Sequence, residues 1–315
     1  MGGSDYSFER RSMKTASFSA RGADGLHKVK TDEIFQSNKK GSCDATMLPN
    51  KANKAHLREA RDSAAHPLTT PVIICLDVTG SMGDIPDHLV REGLPKIVGR
   101  MGQLGVPSPS ILIMAVGDSA VDGNNGVFQL GQFESGDVEM DLWLERIWIS
   151  KKGGGNEGES YNWPYFYALH HIQTDNWDKR NQKGFIFTIG DERCLEHLTS
   201  TEIKQYMGEV AATTETVKTA DLVKGIQDKW NVFHVELSQG RSQYGVDVKE
   251  SWEKLIGAQN VMTCGRDDYD GLANKIADTV AQHTKLIPVP VAKKEEQIGK
   301  TEDKKKDETK PPIML

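Results

Sequence analysis

The sequence has 315 residues, 37% of them hydrophobic, with 39 basic against 45 acidic side chains and a formal net charge of −6. That length can bury a sizeable core, while the acidic balance argues against a nucleic-acid partner, which needs clustered positive charge. Four scattered cysteines (Cys43, Cys75, Cys194 and Cys264) with no CxxC pair argue against a zinc cluster or a disulfide framework.

Residues 1–70 are rich in Ser, Lys, Arg, Gly and Ala and carry few clustered apolar residues. They read as an N-terminal extension, partly disordered or packed on the domain that follows. Its best helical piece is 52–64, which has good helix formers but only Leu57 as a large apolar residue. No apolar signal region follows Met1, and no apolar stretch approaches the roughly 20 residues a membrane span needs. The expected setting is cytoplasmic, with no membrane contact.

From Pro71 the pattern changes. Val72–Leu76 is a continuous apolar run, the mark of a strand buried on both faces, and Cys75 within it reads as a buried thiol. Similar runs follow at Ile111–Val116, Phe185–Ile189 and Val232–Leu237, and Val127–Phe133 reads as an antiparallel edge strand. Between them, helices are predicted over Ile85–Met101, Met140–Ile147, Tyr161–Gln173 and Thr214–Lys229. A last apolar piece, Val261–Cys264, precedes a helix over Tyr269–His283, with Asp267, Asp268 and Asp270 at its start. This alternation predicts a doubly wound α/β domain over 71–286, its sheet mostly parallel and covered by helices on both faces. Residues 287–315 form a charged, flexible C-terminal tail. Between Lys293 and Lys310 it holds seven lysines and six carboxylates, too little apolar surface to fold alone, and it ends in an apolar tip, Pro311–Leu315.

The chemistry concentrates at Asp77-Val78-Thr79-Gly80-Ser81-Met82, directly after the first buried strand. In parallel α/β sheets ligands collect at the carboxyl ends of strands. A carboxylate with two hydroxyls at alternate positions suits Mg²⁺, which takes octahedral oxygen coordination and keeps several waters.

Asp77-x-Thr79-x-Ser81 resembles the DxSxS motif of the metal-ion-dependent adhesion site in von Willebrand factor A domains, a Rossmann-like α/β family. Two further loops fall in that family's order. Lys152–Ser160 is similar to its second loop, written GGGDxPE, and Phe185–Ile189 runs into Gly190-Asp191-Glu192, similar to its third. The resemblance implies that Asp77, Thr79 and Ser81 ligate a cation, Mg²⁺ with Mn²⁺ or Ca²⁺ as substitutes, and that Asp191 joins them directly or through water. The second loop departs from the pattern by lacking a Thr: Asn156 stands at the Asp of GGGDxPE and Glu157 where some members have the Thr, and either is a candidate ligand. The same resemblance implies binding without turnover. A partner's acidic side chain takes the open position on the cation, as in adaptors and assembly components, some of them partners of AAA+ ATPases. A phosphatase-like, metal-dependent hydrolase is the alternative, but its motif needs a second Asp where Thr79 stands. A degenerate domain without its ion is another.

Other side chains read as structural. His170 and His171 are adjacent on a predicted helix and point apart. The aromatic run Tyr161, Trp163, Tyr165, Phe166 and Tyr167 is expected mostly in the core, with one or two rings at the rim of a binding groove.

Overall fold

The computed structural model describes residues 36–49, 57–119, 121–122, 126–150, 158–208, 211–237 and 247–285. A short strand, β1 (Arg58–Ala60), precedes the long β2 (Thr70–Asp77), and β3 (Pro109–Val116) and β4 (Phe128–Glu134) follow. Next come β5 (Ile172–Thr174), β6 (Gly184–Gly190), the paired β7 (His197–Leu198) and β8 (Val217–Lys218), then β9 (Trp230–Glu236) and β10 (Val261–Thr263). Six strands make one sheet in the order β10-β9-β6-β2-β3-β4, parallel throughout except for β4, which closes one edge antiparallel to β3.

Alternation along β2 explains the layers. Val72, Ile74 and Leu76 enter one apolar cluster with the helices Leu94–Gln103 and Tyr269–Lys285. Ile73 and Cys75 enter the opposite cluster, with Asn162–His170, Ser200–Met207, Thr219–Ile226 and Val248–Ile256. Every residue of β2 and β3 is buried, as strands covered on both faces require. The doubly wound α/β architecture stands.

The winding order sets where a ligand binds. From β2 the chain steps to β3 and β4 on one side, then crosses back to β6, β9 and β10 on the other. The direction reverses between β2 and β6, and the crevice at such a switch point lies outside the carboxyl ends of those two strands. Asp77 is the last residue of β2, and Asp191 follows the last residue of β6.

Several elements differ from their predicted form. Within 52–64, residues 52–56 lie outside the described residues and 58–60 are a strand, since β1 finds a parallel partner in β5. That pairing buries Arg58, whose Nε donates to the Gly131 carbonyl at 2.7 Å, and places Ala60 in the core, so tertiary contacts override helix propensity. The helix predicted over Tyr161–Gln173 accordingly stops at His170, and the one over Thr214–Lys229 begins only at Thr219. Ile85–Met101 is helical but opens into a wide π turn at Leu89–Gly93, just before Pro95. Proline lacks the N–H for an i−4 bond and crowds that carbonyl, which a wider turn relieves.

Part of the N-terminal extension packs on the domain. Met47 is fully buried in the core, and Asn38 exchanges two 2.8 Å hydrogen bonds with the Ile149 backbone. The segment after β1 is tied down by charge: Arg180 pairs with Asp62 at 2.6 Å, Arg61 with Asp175 at 2.9 Å and Lys179 with Asp175 at 2.6 Å. All four cysteines are free, with Cys75 and Cys264 buried. Among the described residues no helix is long and apolar enough to cross a membrane. The tail 287–315 lies outside the described residues.

Candidate metal centre

Asp77 is fully buried at the end of β2, and the chain turns back over it. Its Oδ1 accepts the Thr79 N–H at 2.8 Å and the Thr79 hydroxyl at 2.6 Å, an Asx-type turn that brings the next residues above the carboxylate. Gly83 ends this turn at φ +56°, a conformation that favours glycine. The Ser81 hydroxyl donates to Asp191 Oδ1 at 2.9 Å across the switch point. Thr79 Oγ1 and Ser81 Oγ lie 3.1 Å apart.

With the Thr79 proton on Asp77 and the Ser81 proton on Asp191, neither hydroxyl has one left for the other, and lone pairs face the space between them. Neighbouring ligands of an octahedral ion with bonds of about 2.0–2.1 Å are about 2.9–3.0 Å apart, close to the observed separation.

Among the described residues, three side chains outside the predicted set also lie at this centre. The Tyr161 hydroxyl donates to Asp77 Oδ2 at 2.6 Å, so both carboxylate oxygens are held. Tyr161 reaches there by passing directly over Gly190, where an added Cβ would sit 1.7 Å from the phenolic oxygen. A glycine therefore precedes Asp191 because any side chain would expel Tyr161. Glu159 is stitched to the third loop: its N–H donates to the Arg193 carbonyl at 2.9 Å, and its own carbonyl accepts from Leu195 at 3.1 Å. Its Oε2 is buried with no hydrogen-bond partner among the described residues. Arg266, from the turn after β10, pairs with Asp191 Oδ2 at 2.9 Å and donates through Nη2 to the Ser81 carbonyl.

The electrostatics are those of crowded, desolvated carboxylates. Burial, and after it the charge of Asp191, pushes Asp77 well above the usual carboxylate range. Burial also raises Glu159, reinforced by Asp77, Asp118, Asp191 and Glu192. Tyr161 is raised by burial and by Asp77, so its hydroxyl stays a donor. A cation is the natural counter-charge for such a cluster.

The residues fit a hard ion bound through a few oxygens and water. They do not form a cage: among the described residues no group of three or more His, Cys, Asp or Glu side chains is arranged to hold a metal. The structure thus brings together Asp77, Thr79, Ser81 and Asp191, whereas Asn156 and Glu157 lie outside the described residues. Glu159 stands at the final acidic position of GGGDxPE and was legible there; Tyr161 and Arg266 had no such local signal. The rings expected at a groove rim are not there, because Tyr161, Trp163, Tyr165, Phe166 and Tyr167 are all fully buried. His171 is buried beneath Tyr167 at the end of its helix, and His170 tilts against Phe166.

No family model matches this sequence, and no curated protein does. Solved structures with a similar chain path include the pilus adhesin SpaC from Lactobacillus rhamnosus GG, at TM-score 0.47 and 8% identity over 73% of this chain and 31% of that one. Another is a von Willebrand factor type A protein from Catenulispora acidiphila, at TM-score 0.38 and 13% identity over 69% of this chain and 43% of that one. A third is the von Willebrand factor domain of the type V pili tip protein Mfa5 from Porphyromonas gingivalis, at TM-score 0.42 and 8% identity over 70% of this chain and 96% of that one. This chain spans about a third of the SpaC chain and less than half of the Catenulispora one. At these identities the likeness concerns chain path alone, and the fold class rests on the strand order and switch point described above.

Proposed function

We propose that the protein is a binding module of von Willebrand factor A type that holds one divalent cation, Mg²⁺ with Mn²⁺ or Ca²⁺ as substitutes, and captures an acidic side chain of a protein partner. The observation that carries this reading is the pair of hydroxyl oxygens of Thr79 and Ser81, 3.1 Å apart and each donating its proton to a different buried carboxylate. Thr79 and Ser81 would bind the ion, Asp77 and Asp191 would hold their hydroxyls and balance its charge, and Asn156 or Glu157 would add a donor from the second loop. A cation bound there supplies a coordination position that attracts a carboxylate. Tyr161 keeps Asp77 from turning away, and Gly190 leaves room for Tyr161.

The reading extends to a cytoplasmic adaptor or assembly component, with an AAA+ ATPase system as one partner class. It is a binding function without turnover. A phosphatase-like site would need an acid/base where Thr79 stands, and a hydroxyl does not serve.

Calorimetric titration of Mg²⁺ into the wild type and Asp77→Ala, with a pull-down repeated in chelator, tests the reading. One ion should bind the wild type and none the variant, and captured partners should elute with chelator. No heat from the wild type would favour a domain that kept the fold and lost the ion. Metal-dependent hydrolysis of a phosphate ester, abolished in Asp77→Ala, would replace binding with catalysis.

A further inference from the structure

Asp191 serves two donors at once. Its Oδ1 accepts from Ser81, and its Oδ2 accepts from Arg266 Nη1 at 2.9 Å. The second arm of the same guanidinium donates to the Ser81 carbonyl. One arginine therefore clasps both loops that flank the switch point. It comes from neither: it belongs to the turn after β10, at the far edge of the sheet, and spans β9 and β6 to reach them. That turn is itself anchored, with the Cys264 backbone N–H donating to the Glu236 carbonyl at 3.1 Å and the Asp268 backbone N–H to the Gly265 carbonyl at 3.0 Å.

We infer that Arg266 is a resident competitor for the cation, a fixed positive charge that neutralises Asp191 and lowers the affinity of the centre for a divalent ion. The inference rests on the cation reading above and concerns how that site is tuned. A guanidinium keeps its charge at every accessible pH, and its planar fork suits the carboxylate and carbonyl it spans. A divalent ion drawn to the same carboxylate is repelled by it and must share or displace it. The Arg266 side chain is 32% exposed, so solvent screens part of this repulsion and the arginine has water to swing into. Linkage then makes the two contacts mutually weakening: cation binding loosens the Arg266–Asp191 pair, and that pair weakens cation binding.

The alternative is a positioning role, in which Arg266 aims Asp191 for the ion, and the two have opposite signs. Mg²⁺ and Mn²⁺ are titrated calorimetrically into the full chain as wild type, Arg266→Gln and Arg266→Lys, with thermal unfolding in chelator confirming that each is folded. Competition predicts binding on the order of tenfold tighter in Arg266→Gln, with Arg266→Lys within about threefold of the wild type because it keeps the charge. Should the glutamine variant not fold, Arg266→Met keeps the aliphatic stem and carries the same expectation. Equal or weaker binding in the uncharged variants, beside normal binding by the wild type, overturns the competition and leaves the cation reading standing. Heat from none of the proteins overturns both.

Discussion

Gly190 has no side chain of its own, yet its substitution should disturb the centre as much as the loss of a ligand. An alanine methyl there would occupy the space of the Tyr161 hydroxyl, so Tyr161 must move and release Asp77 Oδ2. Gly190→Ala is expected to cost about 1–3 kcal/mol of stability through overpacking, and to weaken Mg²⁺ binding in calorimetry. An unchanged melting temperature would mean that Tyr161 does not lie over this glycine. Tyr161→Phe removes only the donor and leaves a buried carboxylate oxygen short of a partner, a loss of about 1.5–3 kcal/mol readable as a lower Tm. At this scale the sequence was legible where chemistry is local. Asp77, Thr79 and Ser81 declare themselves within five residues, directly after an apolar strand. Tyr161 lies 84 residues from the Asp77 it holds, and Arg266 lies 75 and 185 residues from Asp191 and Ser81; nothing in their neighbourhood marks them out from core aromatics or surface cations.

The strap formed by β1, β5 and the charged segment between β1 and β2 shows what patterning reads poorly. Three-residue strands carry too few side chains to show a period, and what fixes them is the ion cluster of Arg61, Asp62, Asp175, Lys179 and Arg180. Burial pushes the Asp175 carboxyl up, but hydrogen bonds from Lys179, the Asp62 N–H and Arg61 outweigh it and hold the group down to about 2. Its folded value is therefore below the unfolded one near 3.9. The stability it contributes is present above about pH 4 and is lost as pH falls from there through about 2. Asp175→Asn should lower stability by about 1 kcal/mol at pH 7, since Arg61 and Lys179 are well exposed, and by only a small part of that at pH 2, where the folded carboxyl is half protonated. A pH-independent difference in chemical denaturation would assign the loss to packing instead. Of the four described α-helices outside the predicted ones, the two longest, Ser200–Met207 and Val248–Ile256, have well-marked starts. Thr199 and Glu202 form a capping box, and Asp247 caps through the Glu250 N–H at 2.8 Å, each three residues ahead of a Glu. Their short apolar stripes, Ile203, Tyr206 and Met207 in one and Val248, Trp252 and Ile256 in the other, hide among charged residues.

Across the whole molecule, the strand order converts a linear string of motifs into a place. The predicted alternation of strands and helices was legible because four strands are continuous apolar runs, and their burial on both faces is what parallel packing demands. The sheet order was not legible, and it is the order that sets Asp77 and Asp191 on either side of one crevice although 114 residues separate them along the chain. A cation bound there ties β2 to β6 and should stabilise the entire domain. Mg²⁺ at about 100 times its Kd is expected to add about 2.7 kcal/mol in the wild type and nothing in Asp77→Ala. The most direct test is anomalous diffraction from crystals grown with Mn²⁺. A single anomalous peak is expected in contact with Thr79 Oγ1 and Ser81 Oγ and beside Asp77 and Asp191. A map with no peak at the carboxyl ends of β2 and β6, under Mn²⁺ concentrations that saturate ordinary hydroxyl–carboxylate centres, would contradict it.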